Sequence, residues 1–152
     1  MDDVMVRDMT ENDLAEVMGI ERSSFVTPWT EKLFREEFSL PFCHDLVAEK
    51  DGTILGYISF AVVVDEIHLR NLAVREDQRR QGVASSLLSA MAARGRGQGA
   101  LRATLEVRKS NRAAINLYTK RGFVIQGIRP FYYTDTREDA LILWGDLADK
   151  GA

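Results

Sequence analysis

The clearest shortage in this sequence is that of cysteine and histidine. Among 152 residues there is one cysteine, Cys43, and there are two histidines, His44 and His68. One cysteine cannot close a disulfide within the chain, and a thiol or imidazole metal site needs more ligands than these. We therefore expect no disulfide, no bound metal ion and a thiol that stays reduced, as in the cytoplasm.

Long apolar runs and an excess of positive charge are missing as well. The longest apolar run, from Tyr57 to Val64, is interrupted by Ser59 and is far shorter than the roughly 20 residues of a membrane span. Residues 1–3 include two aspartates, where a signal peptide is basic. The net charge of −3 disfavours a protein that binds nucleic acid by general electrostatics. We expect a cytoplasmic protein that binds neither membranes nor nucleic acid.

The chain does have enough apolar residues for a substantial core. Hydrophobic residues make up 45% of it, and its length is typical of one domain. We expect a single domain over residues 1–152, with no repeat, linker or low-complexity tract.

Strand and helix patterns alternate along the chain. Helices are predicted from Thr10 to about Arg22, from Thr30 to Phe38, from residue 82 to Gly95, and from Ser110 or Asn111 to Arg121. Strands are predicted over Val4–Arg7, Asp45–Glu49, Ile54–Val64, Ile67–Val74, Leu101–Val107, Phe123–Tyr133 and Ala140–Trp144. Strand–helix–strand units combined with hairpins indicate an α/β protein with a mixed sheet covered by helices.

The segment Asn71–Leu88 is the most informative part of the sequence. An apolar strand end is followed by a charged turn and by a helix that begins Arg79-Arg80-Gln81-Gly82-Val83-Ala84. The first turn of a helix has unpaired N–H groups and partial positive charge, which suit a diphosphate. Gly82 would allow close approach, and Arg79 and Arg80 would add positive charge. Within this segment, we call residues 79–85 the phosphate cradle.

Taken with the segments that follow, the cradle resembles the GNAT superfamily of acyl-CoA-dependent N-acetyltransferases. The family motif Gln/Arg-x-x-Gly-x-Gly/Ala is matched by residues 79–84. Further matches lie in Leu105–Arg108, Ser110-Asn111, Ala114–Tyr118 and Arg121–Phe123. The match is narrowed to the RimI-like branch, the ribosomal-protein alanine N-acetyltransferases, by Pro28–Thr30, Asp65-Glu66, Tyr132-Tyr133 and Glu138–Ala140. The resemblance covers nearly the whole chain.

The resemblance implies a mostly antiparallel mixed sheet with a central pair of parallel strands that splay apart, here Ile67–Val74 and Leu101–Val107. An acetyl-CoA thioester would lie between them, with its carbonyl on backbone N–H groups near Leu72, Ala73 and Val74. The remaining co-substrate contacts would come from the cradle and the next helix: Arg79, Arg80, Gln81, Gly82, Val83, Ala84, Ser85 and Asn111. Asn111 is equally suited by residue type to be a helix N-cap, which is compatible with that contact.

The resemblance also assigns the acid and the base. A peptide α-amine has a pKa of about 7.7–8.0 and is largely protonated at neutral pH, so a general base is useful, and Glu106 occupies the matching position. Tyr118 would protonate the leaving thiolate. The residues alone allow other interpretations, since Glu106 could belong to a solvated strand face and Tyr118 to a packed helix side. His68 is an alternative base, although a single strand histidine is more often structural.

The acceptor would enter between the loop after the first helix and the final hairpin. Trp29, Tyr132 and Tyr133 would line this slot. Asp65 and Glu66, or Glu138 and Asp139, would hold a basic second residue of the peptide. Without the resemblance, these aromatic residues could be packing residues and the acids could be solvated turn residues.

The leading hypothesis is an enzyme that acetylates the N-terminal α-amine of a protein, a small-subunit ribosomal protein that begins with alanine. One alternative is a GNAT enzyme for a small amine or a lysine side chain. The other is a non-catalytic CoA-binding sensor, against which stands the presence of both Glu106 and Tyr118.

Overall fold

A computed structural model describes residues 4–79 and 82–147. Seven strands form one sheet in the order β1-β2-β3-β4-β5-β7-β6. The strands are β1 (Met5–Asp8), β2 (Cys43–Lys50), β3 (Thr53–Val63), β4 (Glu66–Val74), β5 (Arg102–Arg108), β6 (Val124–Tyr133) and β7 (Glu138–Asp146). The helices are α1 (Leu14–Ser24), α2 (Glu31–Phe38), α3 (Val83–Gly97) and α4 (Arg112–Lys120).

Helices cover both faces of this sheet. On one face α3 and α4 pack through Leu87, Leu88, Met91 and Tyr118 against Leu69, Leu105 and Leu143. On the other face α1 and α2 pack through Leu14, Val17 and Phe34 against Val47 and Tyr57. Because side chains alternate along a strand, the polar residues of β5 point to the α1/α2 face while its apolar residues enter the α3/α4 core.

The two central strands are parallel and separate after a short stretch. β4 and β5 pair only at Glu66↔Arg102, Ile67↔Ala103 and His68↔Thr104, although both strands continue beyond these pairs. Between Leu69 and Asn71 the register of β4 with β3 shifts by one residue, which leaves Arg70 as the extra residue of a bulge. A gap therefore opens between the carboxyl halves of β4 and β5. The predicted mixed sheet with a splayed parallel pair is confirmed.

The end of α3 differs from the prediction. Gly95 does not stop this helix, which runs on to Gly97 and is followed by Gly99 with φ +93°. Gly95 is buried, and a Cβ atom at this position would overlap the side chain of Ile67 on β4. This glycine is therefore required for close packing of the helix on the sheet, and the prediction that it ends the helix is wrong.

The two helical glycines near the end of α3 should respond oppositely to alanine. We expect Gly95→Ala to lower the free energy of unfolding by about 1–3 kcal/mol, because the methyl group overpacks against buried Ile67. Gly97 faces open space, so Gly97→Ala should raise the free energy of unfolding by up to about 1 kcal/mol, because alanine has the higher helix propensity. Urea unfolding of both variants measures the difference, and equal effects would contradict the packing role of Gly95.

Candidate active site

The first turn of α3 offers unpaired backbone donors. Gly82 is the N-cap, in the left-handed conformation with φ +83°, and no side chain caps the helix. The first intrahelical bond runs from the Ser86 N–H to the Gly82 carbonyl at 3.0 Å. Among residues 4–79 and 82–147, no acceptor pairs with the N–H groups of Val83, Ala84 and Ser85. This arrangement suits an anion. Arg80 and Gln81, also predicted for this site, lie outside the described residues.

The edge of β4 that borders the gap also carries unpaired groups. Arg75 donates its N–H to the Leu55 carbonyl on β3 at 2.8 Å, so in this antiparallel pair Ala73 also faces β3 while Leu72 and Val74 face the gap. The Val74 carbonyl there accepts a 3.1 Å bond from Arg79 Nε. The gap and the first turn of α3 thus fit a ligand with a narrow arm and a phosphate group.

The helix that follows β5 is α4, which packs on the same face of the sheet as α3. Asn111 is its N-cap, with Oδ1 accepting the Ala114 N–H at 3.1 Å, which confirms the capping prediction. Tyr118 is buried, and its ring lies edge-on to Phe123 at 5.8 Å between centroids. Burial, and then the neighbouring Tyr133, raise the pKa of Tyr118. Its hydroxyl is therefore protonated at neutral pH, as a proton donor requires.

Glu106 lies on β5 where the two strands have separated. Its carboxylate forms an ion pair with Arg129 Nε on β6 at 2.7 Å. The same carboxylate is next to Tyr132, and as a hydrogen-bond acceptor it raises the pKa of the Tyr132 hydroxyl. The Arg129 guanidinium also lies 5.6 Å from the centre of the Tyr132 ring. Glu106 is thus on a polar strand face but is not simply solvated.

Tyr133 connects the two sides of the site. Burial raises its pKa to about 12, against the effect of Arg108, and Glu106 contributes in the same direction as burial. Tyr133 in turn helps to raise the pKa of Tyr118. Its ring packs edge-on against Tyr132 at 5.1 Å. Glu106, Tyr132 and Tyr133 therefore belong to one cluster with Arg129, and Tyr118 is near enough to Tyr133 for the two hydroxyl groups to affect each other electrostatically.

Trp29 lies in the loop between α1 and α2 and packs against two neighbouring side chains. Its ring packs against Phe34 at 5.0 Å, as a core residue would. The guanidinium of Arg70, the extra residue of the β4 bulge, lies 5.3 Å from the Trp29 ring centre. The loop is thereby held against β4, on the sheet face that carries Glu106.

Glu66 and His68 are in a different part of β4. Glu66 forms an ion pair with Arg102 at 3.1 Å and contacts His68 Nε2 at 3.0 Å. Its neighbour Arg102 precedes Glu106 by four residues on β5, a separation of about 13 Å. The structure therefore does not bring Glu66 together with Glu106. His68 is nearer, since it pairs with Thr104, two residues before Glu106, but the contact that its imidazole makes is with Glu66.

A buried carboxylate that the sequence reasoning missed holds the loop between α1 and α2 in place. Glu21 is only 1% exposed. It accepts hydrogen bonds from the Trp29 N–H at 2.8 Å, from Asn71 Nδ2 at 2.8 Å and from the Tyr57 hydroxyl. Glu21 lies on the same side of α1 as the buried apolar residues Leu14, Val17 and Met18. A carboxylate at a position that helical spacing makes buried is the sequence feature that could have indicated a buried polar network.

A second buried network lies beside it, under α2. Glu37 pairs with Arg70, which also contacts the Cys43 sulfur at 3.7 Å. Asp45 accepts a 2.5 Å hydrogen bond from Ser59 Oγ. Burial, and then the nearby Glu37, raise the pKa of Asp45 to about 6, although the Ser59 bond and Arg70 oppose the shift. One cation thus faces two buried carboxyl groups.

This raised pKa predicts a pH-dependent stability. The folded state holds a proton on Asp45 up to about pH 6, whereas the unfolded state releases it near pH 4, so the free energy of unfolding should fall as pH rises from 4 to 6. Asp45→Asn, which still accepts the Ser59 bond, should make this fall smaller and raise stability at pH 7 by up to about 3 kcal/mol. The rest of the fall comes from Glu37, whose pKa is also raised by burial. Urea unfolding at several pH values from 4 to 7.5 measures the free energy of unfolding of both proteins.

The matched control is Asp77→Asn, since Asp77 is an exposed aspartate paired with Arg75. It should leave the pH profile between 4 and 6 unchanged. A wild-type profile retained by Asp45→Asn would contradict the assignment to Asp45.

Within the described parts of the chain, no group of three or more His, Cys, Asp or Glu side chains is arranged to hold a metal ion. No helix in those parts is both long and apolar enough to cross a membrane.

Comparison with known proteins agrees with this site. The model of the acetyltransferase (GNAT) family matches residues 14–123, a range that holds α3, the separating strands β4 and β5, and α4. The chain therefore belongs to the GNAT family of acetyltransferases.

Individual relatives are similar along nearly the whole chain. The Escherichia coli (strain K12) ribosomal protein bS18-alanine N-acetyltransferase is 35% identical, with 91% of this chain and 94% of that protein covered. A Bacillus subtilis (strain 168) protein to which the same activity is provisionally given is 41% identical, covering 91% and 93%. The crystal structure of the E. coli ribosomal-protein-S18-alanine N-acetyltransferase matches with a TM-score of 0.86 at 33% identity, covering 98% of each chain.

Proposed function

We propose that this protein transfers the acetyl group of acetyl-CoA to the N-terminal α-amine of a ribosomal protein that begins with alanine. The observation that supports the proposal is that β4 and β5 separate after three residue pairs and that Glu106 lies on β5 just beyond the last pair, with its carboxylate bound to Arg129 and next to Tyr132. The E. coli and B. subtilis relatives carry the name of this activity and align with about nine-tenths of the chain. We also propose that residues 1–152 act as one domain, which the single sheet supports.

The gap and the cradle would hold the co-substrate. Acetyl-CoA, when bound, supplies the acetyl group as an activated thioester. The N–H groups of Val83, Ala84 and Ser85 would bind its diphosphate, with Gly82 keeping the approach free of a side chain. On β4, the backbone of Leu72 and Val74 faces the gap, where fixed N–H donors would stabilise negative charge on the acyl oxygen. Asn111 would contact the arm from the start of α4.

Glu106 would remove the proton from the arriving amine. The amine arrives largely as an ammonium ion, and Glu106 already binds a cation, the Arg129 guanidinium at 2.7 Å. The Arg129 side chain is 57% exposed, so it can move into solvent when the ammonium takes its place. The exchange keeps the Glu106 charge paired throughout, and the carboxylate then accepts the amine proton directly or through water.

Tyr118 would return a proton to the departing thiolate. Burial keeps its hydroxyl protonated at neutral pH, and α4 packs on the same sheet face as α3, whose first turn would hold the diphosphate. The base and the acid therefore approach the same gap from different elements, β5 and α4.

Removing either group should slow turnover without weakening co-substrate binding. We expect Glu106→Gln and Tyr118→Phe each to lower kcat by about 10²–10⁴-fold, while the Kd for acetyl-CoA changes little. Steady-state kinetics and calorimetric titration with acetyl-CoA separate the two effects. Glu66→Gln, about 13 Å along the sheet from Glu106, is the matched control and should keep kcat near that of the wild type. An unaffected kcat in either test variant would remove that residue from its role.

The acceptor is tested with two peptides of the same sequence. One begins with a free alanine, the other has its α-amine blocked, and both contain one internal lysine. We expect acetylation of the free peptide only, at the α-amine, because the slot ends at Glu106 between the α1–α2 loop and the final hairpin. Mass spectrometry locates the acetyl group. Equal acetylation of both peptides would favour a lysine acetyltransferase instead, and acetyl-CoA binding without turnover on either peptide would favour a sensor.

A further inference from the structure

The bulge in β4 is held from one side by two buried carboxylates. It consists of Arg70 and Asn71, which together face Ser59 of β3. The Arg70 guanidinium pairs with Glu37 of α2, and Asn71 Nδ2 donates a 2.8 Å hydrogen bond to Glu21 of α1. Glu37 is 2% exposed and Glu21 is 1% exposed. Each of the two bulge residues therefore has its own buried anchor, on a separate helix of the same sheet face.

Two further contacts fix the orientation of the Arg70 side chain. Its Nη1 lies 3.7 Å from the Cys43 sulfur on β2, and its guanidinium lies 5.3 Å from the centre of the Trp29 ring. A buried carboxylate that loses its cation is strongly destabilised, so Glu37 holds Arg70 on the α2 side of the sheet. The extra residue of β4 is thereby kept out of the regular pairing with β3.

The extra residue decides which backbone groups of β4 face the gap. The N–H groups of successive strand residues point alternately to the two sides of the strand, and a shift by one residue exchanges the two sides. With the bulge, Ala73 pairs with Tyr57 of β3 and Leu72 faces the gap. In a strand without the extra residue, Leu72 would pair with Tyr57, and its N–H would be used within the sheet.

We propose that Arg70, held by Glu37, is a positioning residue that keeps the bulge in place and thereby aims the Leu72 N–H at the acyl oxygen of acetyl-CoA. This inference rests on the proposed function, in which fixed donors on β4 stabilise the charge on that oxygen. Arg70 directly follows the last residues at which β4 and β5 are still neighbours, His68 and Thr104. A movement of the bulge is therefore carried to Leu72, two residues further along, where a misplacement of about 1 Å can lower the rate about 100-fold.

The ion pair is tested by removing both of its charges together. Glu37→Gln combined with Arg70→Met leaves no unpaired charge in the core, so this double variant should keep its fold, which urea unfolding checks. Arg70→Lys keeps a cation opposite Glu37. The matched control is Arg102→Met, because Arg102 pairs with Glu66 at 3.1 Å and lies 5.9 Å from the centre of the Trp144 ring, but precedes the separation of the strands.

Three quantities are measured: kcat with the free-alanine peptide, the Kd for acetyl-CoA, and the infrared carbonyl band of bound acetyl-CoA that carries a heavy-carbon label at its carbonyl. A hydrogen bond to the carbonyl oxygen lowers the frequency of this band relative to free acetyl-CoA. We expect the double variant to lower kcat about 100-fold and to move the band back toward that of free acetyl-CoA. Its Kd should change little, because the phosphate cradle is on another element. Arg70→Lys and Arg102→Met should resemble the wild type in all three quantities.

The outcomes that overturn the role of Arg70 differ from those that overturn the proposed function. An unchanged carbonyl band in the double variant would refute the positioning role, whether or not kcat falls. A loss of acetyl-CoA affinity as large as the loss of kcat would show a general structural effect, which also contradicts it. The band is measured without an acceptor. A wild-type enzyme that binds acetyl-CoA with a lowered band but leaves the free-alanine peptide unmodified would therefore refute the proposed acceptor, while the band of the double variant still decides on Arg70.

Discussion

The site depends on the early separation of two parallel strands. β4 and β5 share three residue pairs, and beyond them each strand has a free edge whose backbone groups would otherwise bond to the other. The bulge at Arg70 falls just after the last pair and turns β4 away. Every group that we assign to the reaction lies along this gap: Leu72 and Val74 on one edge, Glu106 on the other, α3 at its end and α4 beside it. Unpaired backbone is costly when buried, so the gap is suited to a ligand.

Three carboxylates at or near the site each form an ion pair with an arginine. Glu106 binds Arg129, Asp135 binds Arg108, and Glu37 binds Arg70. These pairs differ in exposure, and the difference matches their assigned tasks. The partner of Glu106 is the most exposed of the three guanidinium groups and can be replaced by a substrate cation, whereas Glu37 is buried and Asp135 is held by two elements. The same type of ion pair can thus be replaced by a substrate cation at Glu106, whereas at Glu37 and Asp135 it holds neighbouring segments in a fixed position.

Local sequence patterns predicted the elements well, and the family resemblance predicted the gap. The cradle was visible because residues 79–84 are contiguous, and Asn111 was visible as a cap because a cap acts on the next turn. The pairs Glu106 with Arg129 and Thr27 with Asp135 were not visible, since they join residues far apart whose meeting depends on the strand order β5-β7-β6. Gly95 was misinterpreted for a related reason. A glycine that ends a helix and one that admits a neighbouring Ile67 look the same in sequence.

The buried carboxylate of Glu21 has a consequence for how the two substrates affect each other. It binds the Trp29 backbone in the acceptor loop and the Asn71 side chain one residue before Leu72 at the gap. A displacement of either segment changes the hydrogen bonds of the other, and a buried charge tolerates no lost partner without a large energetic cost. Under the proposed function the two binding events would therefore be thermodynamically linked. Such linkage is reciprocal, so each substrate would change the affinity of the enzyme for the other by the same factor.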